Sequence, residues 1–326
     1  MPPPPTPEFW ARRGVLSTLL QPAAWLYGMA ALARRRWTTP WRAPVPVICV
    51  GNFLAGGAGK TPVTLSLARR LRERGCRVHI VSRGYGGRLP GPALVDPARH
   101  TANEVGDEPL LLAEAAPCWV ARDRIAGAKA AIAAGAELLL LDDGFQNPTL
   151  AKDLSLVVID GGYGFGNGRL LPAGPMREPL AQGLARADAI VLMGDDTAGL
   201  AASVAGKLLL RARLVPENGR DVAGRTVIAF AGIGRPVKFF ATLEGAGARL
   251  LAWHAFPDHH RYAEDELARL LAEAGSAGAM LVTTAKDWVR LSPNVRTRVH
   301  SLQVVVAWED ATLLDALLER GEAKRS

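Results

Sequence analysis

Residues 51–62 read GNFLAGGAGKTP, three glycines closing on Lys60 and Thr61 after the apolar run VPVICV. Glycines at 56, 57 and 59 let backbone N–H groups approach phosphate oxygens at the positive end of a following helix. The Lys60 ammonium has the reach for β- and γ-phosphates, and the Thr61 hydroxyl suits Mg²⁺. A strict phosphate loop has glycine where Leu54 stands. The physical elements survive that deviation, so Leu54, Ala55, Gly56, Gly57, Ala58, Gly59, Lys60 and Thr61 are expected to hold a nucleotide. In LLLLDDGFQ a buried strand delivers Asp142 and Asp143 to its C-terminal end, where α/β sheets bind ligands. One of the two is expected to order a magnesium shell.

Three further stretches carry reactive side chains with less decisive spacing. In GDEPLLL, Pro109 suits the first helical turn, so Asp107 and Glu108 read equally as helix caps or as chemical carboxylates. AFPDHHRY places His259 and His260 after an acid in a loop, a setting where histidines are usually just solvated. GGYGFGNGRLLPAGPMREP is a glycine-rich loop ending in Arg177 and Glu178. It reads as a substrate-facing lid or as a plain connection.

The elements that must position these residues are runs of strand length. VPVICV, CRVHIVSR, PCWVARDR, ELLLLDD, LSLVVID and DAIVLMG are apolar without alternation, as in strands buried on both faces of a mostly parallel sheet. RTVIAFAG, ARLLAWHAF, AMLVTTA and LQVVVAW begin a second series, and DELARLLAEA puts Leu267, Leu270, Leu271 and Ala274 on one helical face. The pattern predicts an α/β, P-loop NTPase-like, mostly parallel sheet flanked by helices over 46–222. A smaller C-terminal α/β domain over 223–326 follows, its tail GEAKRS frayed.

At 326 residues, 49% hydrophobic and 21% charged, the chain is globular rather than disordered. Cys49, Cys76 and Cys118 lack CxxC spacing and read as buried, reduced thiols. Of the net charge of +8, +5 lies in residues 1–45, where six arginines face Glu8 alone. A basic end on a near-neutral body suits an anionic surface rather than a nucleic-acid groove. Between Arg13 and Arg34 lie twenty uncharged residues, a length that just spans a bilayer. Arginines at both ends, and Ser17, Thr18, Gln21 and Pro22 within, argue instead for a helix lying in the membrane interface. Trp10, Trp25, Trp37 and Trp41 suit the headgroup level. No signal-peptide cleavage site is evident.

Taken in order, RAPVPVICVGN, GGAGKTP, SRGYGG, GDEP, ARDR, LDDGFQ, DLSLVVID, LPAGPMREP, FAGIGRP, FPDHH and TTAKD resemble the tetraacyldisaccharide 4′-kinase (lipid A 4′-kinase) family of Gram-negative bacteria. The stretches run from residue 42 to residue 287, and that family also lacks the first loop glycine. The resemblance implies transfer of the ATP γ-phosphate to the 4′-hydroxyl of tetraacyldisaccharide 1-phosphate, with Mg²⁺. The reaction would take place at the cytoplasmic face of the inner membrane. It implies Asp107 as general base paired with His259, with Lys60 on the phosphates, and Thr61, Glu108 and Asp143 as the magnesium shell. Arg122 and Arg177 become phosphate-facing cations, with Tyr85, Asp142 and Glu178 also at substrate or phosphate positions. The family commonly has histidine where Asn147 stands, so any nucleotide contact by that imidazole is lost here. The expected partners are the lipid-linked disaccharide and the inner-membrane surface, with no nucleic acid and no obligate protein partner. A regulatory ATPase switch is the competing class. Against it, Leu54 and Ala55 stand where such loops often carry a second lysine. Against a GTPase, TTAKD lacks the N-K-x-D spacing.

Overall fold

The computed structural model describes residues 7–323. The strands are β1 (Val47–Gly51), β2 (Val78–Ser82), β3 (Ala93–Leu94), β4 (Cys118–Val120), β5 (Leu138–Asp142), β6 (Leu154–Asp160), β7 (Ala189–Met193) and β8 (Leu208–Pro216). There follow β9 (Thr226–Ala231), β10 (Arg249–Ala255), β11 (Met280–Thr284), β12 (His300–Leu302) and β13 (Val304–Trp308). A large sheet has the order β13-β8-β7-β6-β1-β5-β2-β4-β3 and a small one the order β10-β9-β11-β12. The inner seven strands of the large sheet are parallel, with antiparallel β3 and β13 at its edges. The small sheet is all parallel.

Apolar side chains on both faces of the central strands explain this layering. Ile48 and Val50 enter one core with Leu67 and Leu71 of helix Lys60–Glu73, while Val47 and Cys49 enter the opposite core with Phe53, Phe145 and Leu150. The last residue of β1 is glycine because a Cβ at Gly51 would lie 2.3 Å from Cβ of Phe145. Cys49 and Cys118 are free, fully buried thiols, and burial raises the pKa of Cys49 to about 11. After β1 the chain turns to β2 on one side, and after β5 it crosses to β6 on the other. The topological switch therefore falls at the C-terminal end of β1, where the glycine loop lies.

One expectation is corrected. LQVVVAW does not stay in the smaller unit, because β13 pairs antiparallel with β8 of the large sheet, Val304 opposite Pro216. Helix Ala311–Ala323 then packs Leu314, Leu317 and Leu318 into the large-sheet core. The small sheet thus hangs on two crossings that run side by side, with Glu217 N–H donating to the Gln303 carbonyl at 2.9 Å. Asn218 ties the same neck to Ser301 and Gln303. Of the tail expected to fray, 321–323 continue the last helix and 324–326 lie outside the described residues.

The N-terminal segment forms helices Val15–Leu19 and Gln21–Trp37. Among the described residues no helix is long and apolar enough to cross a membrane. Of the longer helix only Ala24 is buried. Trp37 is 83% exposed, Val15 79% and Leu19 72%, and Leu16, Trp25, Leu26 and Met29 are exposed with them.

Candidate active site

Residues 52–59 leave the end of β1 and wrap the start of helix Lys60–Glu73. Gly59 is the N-cap, with φ of 87° in the left-handed region where glycine alone is unstrained. Asn52 donates through its amide to the Gly56 carbonyl at 3.2 Å, and Ala55 N–H donates to the Pro175 carbonyl at 2.8 Å. The loop is therefore fixed from both sides. Lys60 Nζ lies 3.8 Å from Asp143 Oδ2, so the loop lysine and the acid at the end of the neighbouring strand meet. Thr61 stands in the first turn of the same helix.

Asp142 and Asp143 share a strand end but not an environment. Burial, reinforced by Asp143, pushes the Asp142 carboxyl up to about 7, and Thr64 donates to it at 3.1 Å. Burial also opposes the Asp143 charge, but Lys60 and Arg177 overcome it and hold that carboxyl at about 2. Arg177 Nη1 donates to Asp143 Oδ1 at 2.8 Å. Asp143 and His259 have positive φ, 52° and 59°. Such strain in a non-glycine residue costs on the order of 1–3 kcal/mol and gathers at functional sites.

The second cluster joins the two sheets. Asp107 begins helix Asp107–Leu112 beside the end of β2, and His259 comes from the loop after β10. His259 Nδ1 is 2.7 Å from Asp107 Oδ2, and Arg290 Nη2 donates to the same oxygen at 2.7 Å. Lys286 Nζ, 3.2 Å from His259 Nε2, is a donor only, so Nε2 accepts and Nδ1–H donates. Burial works against the Asp107 charge, yet the bonds from His259 and Arg290 hold its pKa at about 2. Among the described residues no group is bonded to Oδ1, the carboxylate's other oxygen. The Tyr85 ring packs 5.5 Å from that of His259. Glu108 Oε1 pairs with Lys286 at 2.8 Å, while its Oε2 is buried without a hydrogen-bond partner. Ligand atoms of Asp107, Glu108 and His259 lie within 4.8 Å of one another, but Lys286 already supplies a cation there, so the orphaned Glu108 oxygen is the position left open to a divalent ion. The small unit also reaches the phosphate loop: Gly234 would put a Cβ 3.9 Å from Gly57 N.

Other expectations fare differently. Arg122 is exposed and donates to the Arg88 carbonyl at 3.3 Å. Glu178, expected at a substrate position, is buried among protein partners. At 1% exposure it pairs with Arg35 at 3.0 Å and with Arg186, and accepts from Gln146 at 3.0 Å. Asn147 turns its side-chain oxygen to Thr149, at 2.9 Å to N–H and 2.7 Å to the hydroxyl. It therefore stabilises its own turn. Sequence reasoning missed Arg290, whose carboxylate partner Asp287 lies three residues earlier and is fully buried. It also missed Asp160, which ends β6 much as Asp142 ends β5. Asp160 binds Arg235 at 2.6 Å and Lys238, both from the small unit. A third omission is Arg124, a nearly buried guanidinium that acts electrostatically on both strand-end aspartates.

A glycine loop at a topological switch, a lysine on the adjacent acidic strand end and a carboxylate–imidazole pair opposite define a P-loop phosphotransferase. The tetraacyldisaccharide-1-P 4′-kinase profile (LpxK) matches residues 16–322. The chain belongs to that family. A tetraacyldisaccharide 4′-kinase of Rhodospirillum centenum is 58% identical over 96% of this chain and 95% of that protein. One of Gluconacetobacter diazotrophicus is 56% identical over 96% and 97%. The solved LpxK of Aquifex aeolicus, described as an apo form in complex with ATP, matches with a TM-score of 0.76. It is 29% identical, covering 94% of this chain and 100% of that one.

Proposed function

We propose that this protein transfers the γ-phosphate of ATP to the 4′-hydroxyl of tetraacyldisaccharide 1-phosphate at the cytoplasmic face of a bacterial inner membrane. The observation that carries the proposal is the Asp107–His259 pair, assembled from both units. Phosphoryl transfer depends mainly on positioning and charge neutralisation. The loop amides and Lys60 hold the phosphates, and Arg177 lies beside Asp143 for the transferred group. The free oxygen of Asp107 accepts the proton of the sugar hydroxyl as its oxygen bonds to phosphorus and the bond to ADP breaks. His259 keeps the other carboxylate oxygen fixed. Thr61, Glu108 and Asp143 would hold Mg²⁺, with Asp142 behind them; when bound, the ion neutralises phosphate charge.

A four-chain acceptor stays in the bilayer, because each buried CH₂ is favoured by about 0.8 kcal/mol. The kinase must come to it. The exposed apolar side chains of helices Val15–Leu19 and Gln21–Trp37 are the surface suited to that approach, lying in the interface without spanning it. The test is incubation with Mg-ATP and tetraacyldisaccharide 1-phosphate in mixed micelles, read by mass spectrometry. A product one phosphate heavier is expected. No product, with brisk ATP hydrolysis in the absence of acceptor, would point to a regulatory ATPase switch instead.

A further inference from the structure

Helix Gln21–Trp37 and the loop after β6 border a half-open cavity of about 260 Å³, lined chiefly by Arg13, Gln21, Trp25, Gly168, Arg169 and Leu170. The phosphotransfer scheme makes no use of it. Leu170 bridges to Met176 and Met176 to Leu54. Two strand spacings, about 10 Å, therefore separate the cavity wall from the start of the phosphate loop.

Both arginines bond only to neutral oxygens among the described residues. Arg13 Nε donates to the Asn167 carbonyl at 3.1 Å. Arg169 Nη1 donates to the hydroxyls of Ser17 and Thr18 at 2.9 and 3.0 Å. Each guanidinium has five N–H donors, so most remain unused. By contrast, Arg35 on the same helix is neutralised by Glu178 at 3.0 Å. Two like charges fixed in one cavity without a carboxylate gain from an anion, and the fork geometry suits phosphate oxygens bidentately. Trp25, on the cavity wall, is 63% exposed and belongs to the apolar face with Leu26 and Met29. Indole rings settle at the headgroup level. With that face in the bilayer boundary, Arg13 and Arg169 stand at the depth of lipid phosphates.

We propose that this cavity binds the phosphate of a membrane phospholipid between Arg13 and Arg169, with Trp25 against the lipid's glycerol end. The proposal rests on the membrane-surface reading above and adds a defined lipid site to it. The acceptor's own 1-phosphate has the same chemistry. The bilayer lipid is favoured because the cavity adjoins the exposed apolar face. The acceptor hydroxyl must instead reach Asp107 beside β2, on the other side of β1 from β6.

The test titrates the full chain calorimetrically with dihexanoyl phosphatidylglycerol kept below its micelle concentration. The parent should bind one lipid per chain, and Arg13→Gln/Arg169→Gln should weaken binding about tenfold or more. Arg34→Gln/Arg36→Gln removes equal charge from exposed positions and should bind as the parent does. Because Arg169 also steadies Ser17 and Thr18, Arg169→Lys keeps the charge but loses the fork. It should weaken binding several-fold with an unchanged melting temperature. Equal losses in the two double variants, or no loss in the cavity variant, would overturn the proposal. So would a cavity variant that binds phosphatidylglycerol normally but has a raised KM only for an acceptor bearing its 1-phosphate. Failure of the kinase reading is separate: the parent itself would then make no product. Vesicle sedimentation of the parent reads membrane attachment on its own.

Discussion

Replacing Asp107 by asparagine keeps the side chain's shape and removes its charge. Arg290 still has Asp287 at 2.8 Å, so no buried cation is orphaned. The folding cost is that of weakened charge-assisted bonds, about 1–3 kcal/mol. The catalytic cost is larger, since removing a general base lowers the rate about 10²–10⁴-fold, or about 2.7–5.5 kcal/mol of barrier. The assay is phosphoryl transfer in mixed micelles, with ATP affinity and melting temperature measured alongside. We expect kcat to fall by at least two orders of magnitude while ATP affinity stays within about twofold. Arg290→Met should do the reverse to the balance. It takes the shared cation from the Asp107 and Asp287 carboxylates, both 9% exposed or less at the side chain, and should cost about 3–5 kcal/mol of stability. An Asp107→Asn enzyme turning over within about threefold of the parent would refute the base and leave Asp107 a bridge between the two units.

Asp142 offers a pH test without magnesium. Its folded pKa is raised from 3.8 to about 7, so the associated stability is complete below 3.8 and is lost as pH rises through 7. In EDTA the melting temperature of Asp142→Asn relative to the parent should climb from pH 4 to above 7; a flat difference would contradict the raised pKa. Glu178→Gln should release the N-terminal helix, costing about 1–3 kcal/mol and speeding tryptic cleavage at Arg34–Arg36. A raised acceptor KM without loss of stability would restore Glu178 as a substrate contact. Asp160→Asn removes the carboxylate shared by Arg235 and Lys238, and the KM for ATP should rise several-fold with little change in kcat. An unchanged KM would mean that this pair does not help hold the small unit over the phosphate loop.

What the sequence revealed directly is local. The glycine loop and Asp142–Asp143 are contiguous residues at strand ends, and continuous apolarity told of strands covered on both faces. Partner choice is not local: Arg290 meets Asp107 across 183 residues, and Lys238 meets Asp160 across 78. VVVAW is a strand in any sheet, and nothing in its composition says that it returns to β8. Adjacency misled at Arg177–Glu178. The chain bends there, so one side chain reaches Asp143 while its neighbour is buried against Arg35. Asp107 and His259 were ambiguous from spacing alone, and only the family likeness raised them.

The paired neck at β8 and β13 gives the small unit a fulcrum at one edge of the large sheet. Asp160, ending β6, is two strands from β8, about 10 Å, whereas Asp107 lies beside β2, five strands away, about 24 Å. A swing of about 10° around that neck would thus part His259 from Asp107 by about 4 Å while moving the Asp160 contacts by less than half as much. The geometry acts as a lever. A small angular opening would part Asp107 from His259 while the Asp160 contacts, nearer the neck, shift far less.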